Sequence, residues 1–230
     1  MTFNSMPELA PRTEAIEREV LISLFSNASN EIRSTPGLHL IEIDDALLLA
    51  SVEDPSILLN RVQGLGTQQQ ISPATIQKIV DTCTELEVRN FFLHLYLSEL
   101  SKESRKQLAS SGLIPARSWM RFIRDVSPPR TTSTELRIEK LRAEHANEFA
   151  EVVCHAFDMT TAAVPLIAAL INDPRWHLYA SFDGDSAAST SSLKPERRSK
   201  VIHRTHITSL LSTVSPRCGC DRTSDRRSFK

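Results

Sequence analysis

The stretch WHLYASFDGD, residues 176–185, ends at a break in the character of this sequence. Every second residue from Trp176 to Phe182 is apolar, a period that predicts a half-buried strand. Asp183-Gly184-Asp185 predicts a hairpin turn, because Gly and Asp tolerate the backbone geometry of tight turns. Residues 186–230 then contain 15 Ser/Thr among 45 residues and no regular apolar pattern. The sequence therefore predicts a hairpin with no returning strand, followed by a disordered tail over 186–230.

The same break separates an acidic part of the chain from a basic one. Residues 186–230 carry ten Lys/Arg against three Asp/Glu, whereas residues 1–185 carry 17 against 25, and the formal net charge of the whole chain is −1. The basic tail could contact nucleic acid through phosphates, but Phe229 is its one aromatic residue, so the stacking partners of single-strand binders are missing. We expect neither a nucleic-acid nor a membrane partner.

Residues 135–185 read as a short unit that opens a sheet. Leu136 and Ile138 alternate with charged residues and predict a strand, and the apolar spacing of residues 146–157 predicts an amphipathic helix. A second helix is predicted at Thr161–Ile171, where Pro165 is tolerable only in the first turn. With the strand before Asp183, these elements form an incomplete unit.

Residues 1–126 read as a longer and more complete unit. An amphipathic helix is predicted over 14–32. Three short apolar runs separated by turn signals predict an antiparallel meander over Leu38–Ile43, Ala46–Val52 and Ile57–Val62. Ser72-Pro73 predicts a helix start, and Gly112 closes a helix predicted at Ser101–Ser111. Further strands are expected at Phe91–Leu97 and Ser118–Arg124.

The segment VSPPRTTST, Val126–Thr134, has the composition of a linker. The predicted organisation is an α/β protein with an α+β mixed sheet. It has a first unit at residues 1–126, a linker at 127–134, an incomplete second unit at 135–185 and the basic tail at 186–230.

Both units resemble the GNAT superfamily of acyl-CoA-dependent N-acetyltransferases. The phrases that carry the resemblance in the second unit are TELRIEKLRAEHANEFAEVVCHAF (Thr134–Phe157) and WHLYASFDGD, which are similar to the family's opening strand and helix and to its second strand and turn. The first unit, with NRVQGLG (residues 60–66) and ARSWMRF (residues 116–122), is similar to the N-terminal half of tandem GNAT-like proteins. The resemblance covers roughly residues 14–185 and implies the family order: strand, two helices, three-strand meander, helix, strand, helix and closing strands.

The resemblance implies acetyl-CoA as co-substrate, no metal, and transfer of an acetyl group to a small-molecule or peptide amine. In the family, a loop of form Gln/Arg-x-x-Gly-x-Gly/Ala after the fourth strand cradles the pyrophosphate, because glycines let the backbone approach phosphates that a helix N-terminus attracts. In the second unit this loop would lie beyond Asp185, and no such pattern occurs there. We therefore expect this chain to be inactive, with no catalytic residue assignable, or to be a non-catalytic GNAT-like binding or scaffold module.

The first unit does contain a formal match to that loop, Arg61-x-x-Gly64-x-Gly66. The following helix is predicted to start at Ser72-Pro73, so residues 67–71 separate the glycines from the helix end that should hold phosphates. A short motif of this kind is weakly specific. We interpret it as a turn between strand and helix, with the pyrophosphate loop as the alternative.

Other chemically suggestive groups have plainer interpretations. His203, His206, Cys218 and Cys220 offer zinc-ligand types, but Cys-x-Cys is not the usual chelate spacing and the surroundings are basic, so no metal site is expected. Cys154 and His155 are helix neighbours that point about 100° apart and are not expected to act together. The aspartates of Asp44-Asp45 and Asp183/Asp185 are attributed to hairpin turns. The aromatic stretch at 119–122, with Trp119, Met120 and Phe122, is attributed to sheet core.

Two further expectations concern the chain as a whole. No apolar run typical of a signal peptide occurs in residues 1–12, and the apolar stretches are too short for a membrane helix. The four cysteines are interpreted as free thiols: Cys83, Cys154, Cys218 and Cys220. We therefore expect a cytoplasmic protein. The abrupt change after Gly184 suggests that residues 186–230 are translated out of frame. Translation of the gene in all three frames tests this: no frame restoring strands and a glycine loop would reject it.

Overall fold

The computed structural model of the chain describes residues 6–66, 70–95, 100–116, 133–184 and 186–193. The α-helices in this part are α1 Met6–Asn27, α2 Asn30–Ser34, α3 Pro73–Glu85, α4 Lys102–Ser110, α5 Ala146–Ala156 and α6 Val164–Ala168. Its strands are β1 Leu38–Ile43, β2 Ala46–Ser51, β3 Arg61–Gln63, β4 Phe92–Leu93, β5 Arg137–Lys140, β6 His177–Asp183 and β7 Ser186–Leu193. The predicted strand at Ser118–Arg124 and most of the linker lie outside the described residues.

The strands form two sheets, and the chain has a mixed α/β fold. In the first sheet, of order β1-β2-β3-β4, neighbouring strands are antiparallel except for β3 and β4, which run parallel and are joined through α3. The second sheet has the order β5-β6-β7 and is antiparallel throughout. The predicted meander and the mixed sheet are confirmed.

The starts of α3 and α4 lie where the sequence signals place them. Ser72 caps α3 by accepting a hydrogen bond from the Thr75 N–H, with Pro73 in the first turn, and Ser101 caps α4 in the same way. The predicted helix over 14–32 begins earlier, at Met6, and is interrupted at residues 28–29, where the Ser29 hydroxyl caps a separate helix α2. The predicted helix at Thr161–Ile171 is α6 with a 3-10 turn on each side.

The predicted third strand, Ile57–Val62, is wrong at its start, because β3 begins only at Arg61. The preceding residues form a loop held by the buried Asn60 side chain, whose Oδ1 accepts the Ser51 N–H at 2.8 Å and whose Nδ2 donates to the Ser56 carbonyl at 3.0 Å. Asp54 Oδ1 accepts the Ser56 N–H at 2.9 Å. These side-chain bonds replace the strand ladder that the apolar residues alone suggested.

The expectation of a hairpin without a returning strand is also wrong. β7 returns along β6 immediately after the turn at Gly184, whose φ is +60°, so residues 186–193 of the predicted tail are an ordered strand. Ser181 and Ser189 share a hydroxyl–hydroxyl hydrogen bond of 2.7 Å across the pair. Ser and Thr side chains can pair across strands without any apolar alternation, which is why the pattern gave no signal.

Strand β2, with the run ALLLA, is buried along its whole length because both faces of the first sheet are covered. Leu48 and Ala50 belong to a core beneath α3 and α4, whereas Leu47 and Leu49 belong to a second core. That second core also contains residues of α1, α5, α6 and β6, among them Leu21, Leu24, Phe149, Leu166, Leu178 and Phe182. The second unit therefore docks on the first through a continuous apolar core.

Two buried carboxylates reinforce the docking. Asp54, fully buried in the β2–β3 loop, accepts the N–H and the hydroxyl of Thr160 at 2.6 and 2.9 Å, at the start of the 3-10 turn before α6. Asp173, before β6, accepts from the Ser23 hydroxyl and the Asn27 amide of α1, both at 3.0 Å. Each carboxylate belongs to one unit and accepts hydrogen bonds from groups of the other.

No helix in the described ranges is long and apolar enough to cross a membrane.

Candidate functional site

The candidate phosphate loop of the first unit, Arg61–Gly66, comprises β3 and the glycine turn that follows it. Gly64 and Gly66 both have a positive φ, +91° and +74°, as turn glycines do. The next helix begins at Pro73, as predicted, and its first turn is already capped by Ser72. The glycines are thus separated along the chain from the helix end that would attract a phosphate, and residues 67–69 of the connection lie outside the described residues.

The backbone N–H of Gly64 is already bound by a carboxylate. It donates to Glu14 Oε1 of α1 at 2.6 Å, and Glu14 is 2 % exposed. A buried carboxylate on a loop amide is a strong charge-assisted acceptor, and it places a negative charge where a phosphate oxygen would have to lie. The protein itself supplies the anion of this turn.

Close packing explains why residue 64 is a glycine. A Cβ at this position would lie 2.8 Å from Arg18 Nη1 and 2.9 Å from the Asp45 carbonyl oxygen, too close for any side chain. Arg18 Nη1 itself donates to that carbonyl at 2.8 Å. The glycine therefore gives room to α1 and the β1–β2 turn.

The arginine of the motif points to the same helix. Arg61 is 4 % exposed, and its Nη1 lies 3.6 Å from Glu17 Oε2. Glu14, Glu17 and Arg18 are spaced three and four residues apart and so share one face of α1. We call the group formed by Glu14, Glu17, Arg18, Arg61 and Gly64 the α1 clamp, because it fastens α1 to the end of β3.

A polar pair that the sequence analysis missed lies beside the clamp. Gln63, fully buried, places its Nε2 3.2 Å from His94 Nδ1, so the last residue of β3 is tied to the residue after β4. With the amide in this orientation the Nδ1 atom accepts, since an amide NH₂ can only donate. Gln63 Oε1 has no hydrogen-bond partner among the described residues. A parallel strand pair is visible only in the fold, so no local pattern could have joined Gln63 to His94.

The Cys154–His155 pair is not a catalytic dyad. Cys154 is buried in the core, whereas His155, the next residue of α5, is exposed. Burial and the nearby carboxylates of Asp54 and Glu151 raise the pKa of the Cys154 thiol to about 11, and burial raises the pKa of Cys83 to about 12. Both thiols stay protonated near neutral pH and are structural.

The remaining aspartate candidates are turn residues or lie outside the described ranges. Asp44 has a φ of +53° in the β1–β2 turn, and its carboxylate ties the turn to α3 through Thr75 Oγ1 at 2.6 Å and Lys78 Nζ at 2.7 Å. The hydrogen bond from Lys78, which has the larger effect, and the hydrogen bond from Thr75 both lower the pKa of the Asp44 carboxyl group. Asp183 is exposed at the β6–β7 turn. Asp185 and the candidates Trp119, Met120, Phe122, His203, His206, Cys218 and Cys220 are not among the described residues.

The described ranges contain no cluster of three or more His, Cys, Asp or Glu side chains that could hold a metal ion. The candidate site is therefore the end of β3 and β4, where a glycine turn meets the α1 clamp and the Gln63–His94 pair. Its interactions join α1 to the first sheet. Comparisons with family models, with curated proteins and with solved structures gave no significant match to this chain.

Proposed function

We propose that this chain is a GNAT-like protein of tandem design, in which the first unit is a non-catalytic scaffold that carries the second unit. The element order supports the resemblance. The first unit runs α1, α2, a three-strand meander, α3, β4 and α4, and the second runs β5, α5, α6, β6 and β7. Each matches a consecutive part of the family order that the sequence resemblance implies.

The hydrogen bond between Glu14 and Gly64 carries the non-catalytic assignment. Binding of acetyl-CoA pyrophosphate at this turn would bring two negative groups together unless the buried Glu14 side chain left its site. Leaving it would cost the Gly64 bond and expose the packing of α1 against β3. The α1 clamp thus favours a structural turn over a pyrophosphate loop.

The scaffold role rests on the further contacts that α1 makes along its length. The helix that is clamped to β3 also presents Ser23 and Asn27 to Asp173 of the second unit and contributes Leu21 and Leu24 to the shared core. Acetyl transfer from acetyl-CoA to an amine is the activity of the family type. We expect no transfer by this chain, because its described residues offer no open pyrophosphate loop.

One observation favours the alternative, acetyl-CoA binding by the first unit. β3 and β4 are parallel and joined through α3, and a glycine turn follows β3. Strand–glycine turn–helix units bind phosphates in many α/β proteins. The alternative requires the Glu14 carboxylate to give way to the ligand.

Calorimetric titration of the full chain with acetyl-CoA, paired with an assay for CoA release in the presence of amines, tests the proposal. We expect no saturable heat and no CoA release. In Glu14→Gln, which keeps the side-chain shape and removes the charge, we expect the same absence of binding together with lower stability. Saturable binding by the wild type that tightens in Glu14→Gln would instead identify a pyrophosphate loop, and the scaffold assignment would fail.

A further inference from the structure

The two edges of the second sheet differ in how they are protected. β5 has four residues, three of them charged: Arg137, Glu139 and Lys140. Charged side chains and shortness are the usual devices that keep an edge strand from pairing with another chain. β7, with the sequence SAASTSSL, is twice as long and has no charged residue, proline or glycine.

A bulge protects only part of β7. The pairing register with β6 shifts between Ser181 and Phe182, next to the hairpin turn, and bulges discourage further pairing where they occur. Beyond it, Ser189–Leu193 pair regularly with β6, and Ser189 and Ser191 are exposed. Among the described residues no strand pairs with the outer edge of this regular segment.

We propose that the regular segment Ser189–Leu193 is a homodimerisation edge that pairs antiparallel with the same segment of a second copy. A two-fold axis perpendicular to the sheet through Ser191 pairs residue 190 with 192 and residue 189 with 193. Side chains that lie opposite one another then stay on the same face, as the alternation of a strand requires. Identical strands can meet in this way because the arrangement is self-complementary.

The distribution of charge near the two ends of β7 favours a second copy of the chain as the partner of this edge. The exposed Asp183, the last residue of β6, pairs with Ser186 at the N-terminal end of β7. In the sequence, the C-terminal end of β7 is followed by the basic residues Lys194, Arg197, Arg198 and Lys200 and by one acidic residue, Glu196. Antiparallel pairing turns the N-terminal end of β7 in one copy, beside Asp183, towards the C-terminal end of β7 in the other, which the basic residues follow in the sequence. Opposite charges at both ends therefore add to the backbone pairing, and the dimer weakens as salt rises.

The test is sedimentation velocity of the full chain across the micromolar range. We expect a concentration-dependent dimer that Ser191→Lys weakens roughly tenfold or more, since two lysines would face each other at the axis. Ser191→Val, which favours strand pairing, should keep the dimer. Ala109→Lys, at an exposed position of α4, adds the same charge away from the edge and should leave the dimer unchanged.

Two results would overturn the proposal: a monomer at every concentration, or a dimer equally strong in Ser191→Lys and wild type. Hydrogen exchange of the β7 amides keeps the proposal testable if Ser191→Lys does not fold. In the wild type, the amides of Ser189–Leu193 that point away from β6 should become more protected as the concentration rises. Protection that is independent of concentration would mean that the same chain covers its own edge, which also rejects the dimer.

Discussion

Replacing Gly64 by alanine is expected to lower the free energy of unfolding by about 3 kcal/mol, as a sum of backbone strain and steric overlap. Gly64 has a φ of +91°, and a Cβ there would lie within 3 Å of both Arg18 Nη1 and the Asp45 carbonyl oxygen. Arg18 can move only by giving up its own hydrogen bond to that carbonyl. Urea denaturation followed by circular dichroism measures the change.

Gly112→Ala is the matched control for this prediction. Gly112 follows α4 with a φ of +74°, but a Cβ there meets no atom within 4 Å. The control therefore carries the backbone strain alone, about 1 kcal/mol. Equal destabilisation of the two variants would show that Gly64 is not packed against Arg18 and would remove the main structural support for the α1 clamp.

Asp173→Ala is expected to cost about 3 kcal/mol, because buried donors of α1 lose their acceptor. The Asp173 side chain is buried and accepts from Ser23, Asn27 and Arg175. Trp176 Nε1 donates to the same Ser23 hydroxyl at 2.8 Å, so the loss would spread to the start of β6. Asp183→Ala, at an exposed turn, removes the same charge and should change stability by less than about 0.5 kcal/mol.

The pH dependence of stability gives this prediction a second readout. The hydrogen bond from Arg175, followed by those from Asn27 and Ser23, holds the pKa of Asp173 well below its usual range. A lowered carboxyl pKa stabilises the folded state above the ordinary aspartate range, and this stabilisation is lost as the pH falls towards the lowered pKa. The wild type and Asp173→Ala should therefore converge in stability as the solution is acidified. A constant difference down to strongly acidic pH would contradict an ionised Asp173 in the interface.

Local signals predicted β1, β2 and the starts of α3 and α4. Ser72-Pro73 and Ser101 mark helix starts because a cap is a contact between near neighbours in the sequence. The C-terminal ends of α3 and α5 are harder to predict, because they lack the glycine that usually marks the end of a helix. Glu87 and Asp158 follow these helices in the left-handed conformation instead, at φ values of +58° and +52°. In both, the next N–H bonds back to a cysteine carbonyl five residues earlier, at 2.9 and 2.8 Å.

The contacts that decide the site could not be read from the sequence. Glu14 and Gly64 are 50 residues apart, and Asp54 and Thr160 are 106 apart. A buried glutamate in α1 looks like any surface glutamate until the fold places the Gly64 amide against it. For the same reason, the sequence leaves two interpretations of the motif Arg61-x-x-Gly64-x-Gly66, a turn and a phosphate loop. A choice between them requires the position of α1, which packs against the motif only in the fold.

A first unit that serves as the scaffold for the second should hold both units in one cooperative structure. Native-state hydrogen exchange of the full chain tests this most directly, by comparing the slowest amides of β2 with those of β6. We predict the same free energy of opening for both, equal to that of global unfolding, because one core spans the two units. If the free energy of opening for the β6 amides were several kcal/mol lower than that for the β2 amides, the scaffold role would be contradicted.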